Sequence, residues 1–236
     1  MDKREWSLTE NDIEVLENSL CMVTALYAYT TTNSTNSRRL GSVNSVAWSP
    51  NGKYLASGSN DETVCVWEAA TGTVVSHLRV DHYVSSVAFA PCGDKLALAY
   101  YRSVAIFDVK TNKVLCTLHE HTDLVTGVAW NKDGTRLASC SFDKTVKIWA
   151  DLFQGPDMGR GLCTLACQAT LRVEHMATCL SYAPSSDILA AGDSGGNVHL
   201  FSADGETVLS PLAGHRYALF SLLLAVSRAC RERSLC

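Results

Sequence analysis

Apolar and polar positions alternate with a period of two in short runs along most of the chain, and turns bearing Gly or Asp close each run. The stretch "TRLASCSFDKTVKIWADLF" at 135–153 shows the pattern well: it alternates, turns at "SFDK" and alternates again as far as Trp149. Together with the preceding residues, "LVTGVAW" predicts one strand, "NKDG" a turn, "TRLASCS" a second strand, "FDK" a turn and "TVKIW" a third. β-branched and aromatic side chains at alternate positions place one apolar face on a pleated sheet, and short polar turns join antiparallel neighbours. Asp143, in the second turn, is either part of a reactive site or a strut that holds the turn.

The pattern recurs. "VAWSPNGKYLASGSNDETVCVW" at 46–67 and "VAWNKDGTRLASCSFDKTVKIW" at 128–149 both hold 22 residues and match at Val, Ala, Trp, Gly, Leu, Ala, Ser, Ser, Asp, Thr, Val and Trp. Two weaker copies, "VAFAPCGDKLALAYYRSVAIF" at 87–107 and "LSYAPSSDILAAGDSGGNVHLF" at 180–201, alternate with them, the first being one residue shorter. The starts at 46, 87 and 128 are 41 apart, and the next step, to 180, is 52. The surplus fits an insertion within "ADLFQGPDMGRGLCTL", whose Gly and Pro content predicts a surface loop. A fourth strand follows each copy, in "GTVVSHL", "NKVLCTL", "CQATLRV" and "ETVLSPL". Four strands per unit of about forty residues is the pattern of a propeller blade. A β-sandwich of many short strands would not repeat Val-Ala-Trp and a closing Trp at a fixed step. The predicted blades span 43–79, 84–118, 125–173 and 177–212.

These repeats resemble the WD-repeat β-propeller family over about 39–215. The terminal dipeptide of that family becomes "WE" at Trp67, "FD" at Phe107, "WA" at Trp149 and "FS" at Phe201. Its opening "GH" stands at Gly214-His215 and, altered, as "EH" at Glu120-His121. Looser versions lie at His82 and His175. The resemblance implies an all-β fold of four recognisable four-stranded blades plus a partial fifth, with an open or incomplete ring. It also implies a hydrogen-bonded chain of His, Ser, Asp and Trp in each well-kept blade, falling on His121, Ser139, Asp143 and Trp149 in repeat three. Repeat one supplies Ser57, Asp61 and Trp67, with Arg39 where the His would be. Repeat two has Leu98 and Phe107 and no Asp, and repeat four has Ala191, Gly195 and Phe201, so the chain is expected to be absent from both. An indole only donates, a hydroxyl and an imidazole do both, and a carboxylate accepts, so the four types satisfy one another in series. Asp143→Ala is therefore expected to destabilise the fold, and Leu98→Ser to gain little.

Composition narrows the function. The chain has 236 residues and a net charge of -4, without the basic stripe that nucleic-acid binding needs. "RACRER" near the C-terminus reads as a solvated tail. Ten cysteines are scattered along the chain, and several alternate with apolar neighbours, as in "TVCVW" and "VLCTL", and read as free core thiols. With no apolar centre in "MDKREWSLTEND", they suggest a reducing interior, so a cytoplasmic location is expected and a nuclear one stays open. Cys163 and Cys167 have no second ligand pair at zinc spacing, so no metal is expected, and no cofactor. The longest apolar run, "YALFSLLLAV", has ten residues, against about twenty for a membrane helix.

A His–Ser–Asp hydrolase triad is imaginable, but no "GxSxG", phosphate-cradling glycine loop or "HExxH" accompanies it, so no enzyme activity is expected. What remains is a protein–protein interaction scaffold docking partner proteins or peptides on the propeller faces, the common role in the family it resembles. One face should carry the turns between second and third strands and those entering each first strand. Tyr83, Tyr100, Tyr101, Phe142, Arg216 and Tyr217 fall there, and aromatics and Arg dominate interface hot spots. Tyr100 and Tyr101 could equally pack where repeat two lost its polar chain. The alternative is a regulatory WD-repeat fragment of a larger signalling protein, cut out by splicing and non-catalytic in isolation. At the N-terminus, 1–38 reads as a short amphipathic helix, a strand and a linker. At 216–236 a partial blade strand runs into an irregular tail, a pattern break expected of a truncated chain. Open blade edges are expected to promote self-association.

Overall fold

The computed structural model describes residues 41–151, 165–184, 186–202, 205–213 and 215, and all sixteen regular elements among them are strands. The first sheet holds β1 (Val43–Trp48), β2 (Tyr54–Ser59), β3 (Thr63–Glu68) and β4 (Thr73–Arg79). The second holds β5 (Val84–Phe89), β6 (Lys95–Tyr100), β7 (Ser103–Asp108) and β8 (Lys113–Leu118). The third is β9 (Val125–Trp130), β10 (Arg136–Ser141), β11 (Thr145–Asp151) and β12 (Leu165–Arg172). The fourth is β13 (Ala177–Tyr182), β14 (Leu189–Asp193), β15 (Asn197–Phe201) and β16 (Thr207–Ala213). Each sheet is an antiparallel meander in chain order, which makes it a blade. The expected N-terminal helix, the insertion after β11 and the partial fifth blade lie outside the described residues.

Strand alternation dictates how the blades stack. In the first blade Ala56 pairs with Val66 and Leu55 with Trp67, so successive pairs face opposite ways. Ala56, Val64 and Val66 pack on Val84, Val87, Leu96, Leu98 and Phe107 of the second blade. The other face of that blade, Ala97, Ala99, Val104 and Ile106, meets Val125, Val128, Leu137 and Trp149 of the third. Ala138, Cys140, Val146 and Ile148 then meet Ala177, Leu189, Ala191 and Phe201 of the fourth. Burying each such Val, Leu or Phe side chain is worth about 1.5–3 kcal/mol relative to leaving it in water.

Side chains also clamp one blade to the next. Asn44 Nδ2 donates to the Val84 carbonyl at 2.8 Å, Ser85 Oγ to Val125 at 2.5 Å and Thr126 Oγ1 to Ala177 at 2.9 Å. The N–H of Val87 donates to Ser45 Oγ at 3.1 Å, and that of Val128 to Ser86 Oγ at 3.3 Å. The donors at 44, 85 and 126 keep the 41-residue step, so the sequence holds the signal in "NS", "SS" and "TG" after the first residue of each inner strand.

The inner strands touch in the order β1, β5, β9, β13, and the ring does not close among the described residues. The consequence is visible at the first blade. Trp48 is 44% exposed, whereas Trp130, at the same place in the third blade, is half buried against the second.

Candidate functional site

The third blade joins its four polar residues into one chain. Trp149 Nε1–H donates to Ser139 Oγ at 2.8 Å, and Ser139 Oγ lies 2.8 Å from His121 Nε2. His121 Nδ1 in turn lies 2.8 Å from Asp143 Oδ2. Because the Asp143 carboxylate can only accept, neutral His121 carries its proton on Nδ1, and its bare Nε2 accepts from the Ser139 hydroxyl. Asp143 Oδ2 also accepts the Thr122 N–H at 3.1 Å, and Oδ1 accepts the Thr145 N–H at 2.9 Å and its hydroxyl at 2.6 Å. Lys144 makes this turn possible with a positive φ of 64°.

The remaining blades vary the scheme. In the first, Trp67 Nε1–H donates to Ser57 Oγ at 2.9 Å, and Asp61 Oδ1 accepts from the Thr63 N–H at 3.0 Å and hydroxyl at 2.6 Å, while Arg39 lies outside the described residues. In the second, Leu98 and Phe107 are fully buried in an apolar cluster. The fourth departs from the expectation of no polar network. Its carboxylate has moved two places toward the N-terminus, to the fully buried Asp193. Asp193 Oδ2 accepts from His199 Nε2 at 2.9 Å and faces His175 Nδ1 at 3.5 Å, while Oδ1 accepts the N–H groups of Gly195 and Asn197, each at 2.9 Å. Gly195 stands where Asp143 stands in the third blade, and a Cβ there would collide with the His175 ring. The glycine and the relocated acid go together. The motif at the family positions hid this, and "DSGGNVH" was its only trace.

The titrations follow from burial and partners. Burial pulls His121 below its ordinary 6.5, with Asp143 only partly opposing. Burial works to raise Asp143, but hydrogen bonds from Thr145 and His121 outweigh it and the carboxyl sits below its usual range. Burial works to raise Asp193 too, but bonds from His199 and Asn197 outweigh it and lower the carboxyl from 3.8 to about 2. A depressed folded pKa means that the unfolded chain binds more protons on acidification, so all three groups stabilise above their ordinary values and lose that contribution as pH falls. Melting temperature is expected to fall in two stages, first as pH drops below 6.5 through His121 and again between 3.8 and about 2 through Asp193. Asn at His121, in the variant His121→Asn, should remove the first stage and leave the second. A thermal scan across pH reads both.

This arrangement does not suit covalent chemistry. His121, Ser139 and Trp149 are all buried, and the Ser139 oxygen is engaged on both sides, so no attacking hydroxyl faces solvent. Among the described residues no cluster of three or more His, Cys, Asp or Glu could hold a metal ion. Cys163 lies outside them, and Cys167 is a half-buried free thiol. Cys116 is disulfide-bonded, contrary to the reading of "VLCTL" as holding a free core thiol. No helix among the described residues is long and apolar enough to cross a membrane.

The residues expected on the loop face separate. Tyr100 packs on the core between the first two blades, whereas Tyr101 is 37% exposed. Tyr101 sits in the tight turn between β6 and β7 at φ 49°, its ring 4.4 Å from that of His82, with Arg102 5.1 Å over it. The Tyr101 carbonyl accepts the Val125 N–H at 2.7 Å, which fixes this turn to the start of β9. Tyr83 and Phe142 are half buried at the same end. Arg216 and Tyr217 lie outside the described residues. Sequence reasoning missed His82 and Arg102 as neighbours of Tyr101, although both flank the turn and loop that it singled out.

Comparison with known proteins agrees with this architecture. The family model "WD domain, G-beta repeat" matches residues 33–68 and 112–150. The chain is 27% identical to autophagy-related protein 16 of Arabidopsis thaliana over 78% of its own length and 35% of that protein. It is 34% identical to protein HIRA of Oryza sativa subsp. japonica over 52% of its length and 10% of that protein. A U3 small nucleolar RNA-associated protein 15 homolog of Gallus gallus is 39% identical over 42% of this chain and 19% of its own. The chain thus spans about a third or less of these relatives. WD40 repeats generally serve as protein-interaction scaffolds and are generally non-catalytic. With two repeats matched by the family model and four meander blades stacked through their inner strands, this chain carries WD repeats.

Proposed function

We propose that the chain is a non-catalytic docking platform whose contact point for protein or peptide segments is the loop end of the second and third blades, around Tyr101. One observation carries this reading: a large aromatic held outward on a positive-φ turn, pinned by His82 on its ring and by Val125 on its carbonyl. A side chain ordered before binding loses less conformational freedom on contact, and Tyr is among the residues that dominate hot spots. The polar chain around Asp143 supports the platform from inside. The length of the matched relatives supports a second setting for the same role, as a regulatory docking part of a larger chain.

Affinity capture followed by mass spectrometry tests the proposal. Wild type should retain protein partners that Tyr101→Ser loses, by about tenfold or more for a hot-spot residue, while the two melt at the same temperature. Equal recovery by both proteins, or turnover of a small molecule by partner-free protein, would overturn it.

A further inference from the structure

Resting on that docking reading, we propose that the Tyr101 surface receives a basic peptide segment, with an arginine or lysine side chain laid on the Tyr101 ring beside Asp81 and Asp123. The charges at this end of the blades point that way. Asp61 is used by Thr63, Glu62 by Arg79 at 3.1 Å, Asp143 by His121, and Glu120 by Lys147 at 3.5 Å. Asp81 and Asp123 carry no cationic partner among the described residues, and each lies within two residues of one that touches Tyr101. Asp81 precedes His82, whose ring lies against Tyr101, and Asp123 lies two residues before Val125, whose N–H bonds the Tyr101 carbonyl. Tyr83 stands two residues after Asp81, and burial and the nearby charges of Asp123 and Tyr101 raise its hydroxyl in pKa.

The ring also already receives a guanidinium: Arg102 of the same chain lies 5.1 Å over it. An aromatic face attracts a cation, most strongly where carboxylates are close and unpaired. Arg102 is exposed and is held there by no carboxylate among the described residues, so an incoming cation can displace it. Arg102 is then a stand-in for the ligand rather than a contact with it. An acidic partner would instead use Arg102 as its anchor, so the two readings give opposite signs on one substitution.

The test is fluorescence polarisation at low and moderate salt, with two labelled peptides of equal length in which Gly alternates with Arg or with Glu. The Arg peptide should bind, and Arg102→Ala should tighten it by about threefold as the competing cation is removed. Tyr101→Ser, which changes no charge, and Asp81→Asn with Asp123→Asn should each weaken it by about tenfold. Preference for the Glu peptide, weaker binding in Arg102→Ala, or an Arg-peptide affinity indifferent to Tyr101→Ser would each overturn the basic-segment proposal. If the Arg peptide fails while Tyr101-dependent partners are still captured, the docking reading stands and only its ligand class falls. If Tyr101→Ser captures the same partners as wild type, the docking reading itself falls.

Discussion

Asp143→Ala will lower the melting temperature of this protein sharply while leaving its secondary structure intact below the transition. The side chain accepts hydrogen bonds from His121, from the Thr122 N–H and from both the N–H and the hydroxyl of Thr145. Its removal leaves the Nδ1–H of His121, whose side chain is 1% exposed, with only the Thr145 hydroxyl at 3.3 Å to accept it. An orphaned buried donor costs about 1–3 kcal/mol, and the lost turn bonds add to that, so about 3 kcal/mol in total is expected. For a chain of this size that corresponds to a fall of about 6–12 °C. Asp143→Asn should recover part of the loss, because its amide oxygen still accepts from Nδ1–H. An unchanged melting curve for Asp143→Ala, read by circular dichroism, would mean that the carboxylate is not a strut.

Leu98→Ser will be comparably damaging, although Ser is the residue found at the equivalent position, 139, of the third blade. From the sequence this change should gain little, because the partners that a hydroxyl would need are missing. The structure makes the outcome worse than neutral. Leu98 is fully buried against Val84, Val87 and Phe107 in the joint between the first two blades. Removing its isobutyl group leaves a cavity worth about 2–5 kcal/mol. The new hydroxyl also meets Phe107, which has no N–H to donate, so a desolvated polar group is added to the void. Leu98→Ala should cost nearly as much as Leu98→Ser. Thermal or urea unfolding with both variants distinguishes this from a cost due to the hydroxyl alone.

What could be read from the sequence follows from where the chain repeats. The 41-residue step carries strand, turn and blade placement, because period-two alternation and turn residues are local signals. The polar chain of the third blade was legible because all four residue types stand at their family positions. The fourth blade was not. Its carboxylate had moved to Asp193 and its imidazoles to His175 and His199, so that only three-dimensional pairing brings them together. The difference between Tyr100 and Tyr101 was equally hidden. Neighbours along a strand point to opposite sides, but which side is covered depends on the adjacent blade. The inter-blade clamps at Asn44, Ser85 and Thr126 were present in the sequence at the repeat spacing and were passed over because they are small polar residues in strands.

The central claim is that support and recognition reside in different residues, inside the blade around Asp143 and on the loop face around Tyr101. The most direct measurement is partner recovery by mass spectrometry, taken well below the melting temperature of every variant, for wild type, Asp143→Ala and Tyr101→Ser. The account predicts that Asp143→Ala melts earlier yet keeps its partners, and that Tyr101→Ser melts with wild type and loses them. A Tyr101→Ser protein that keeps its partners, or a folded Asp143→Ala protein that loses them, would contradict it.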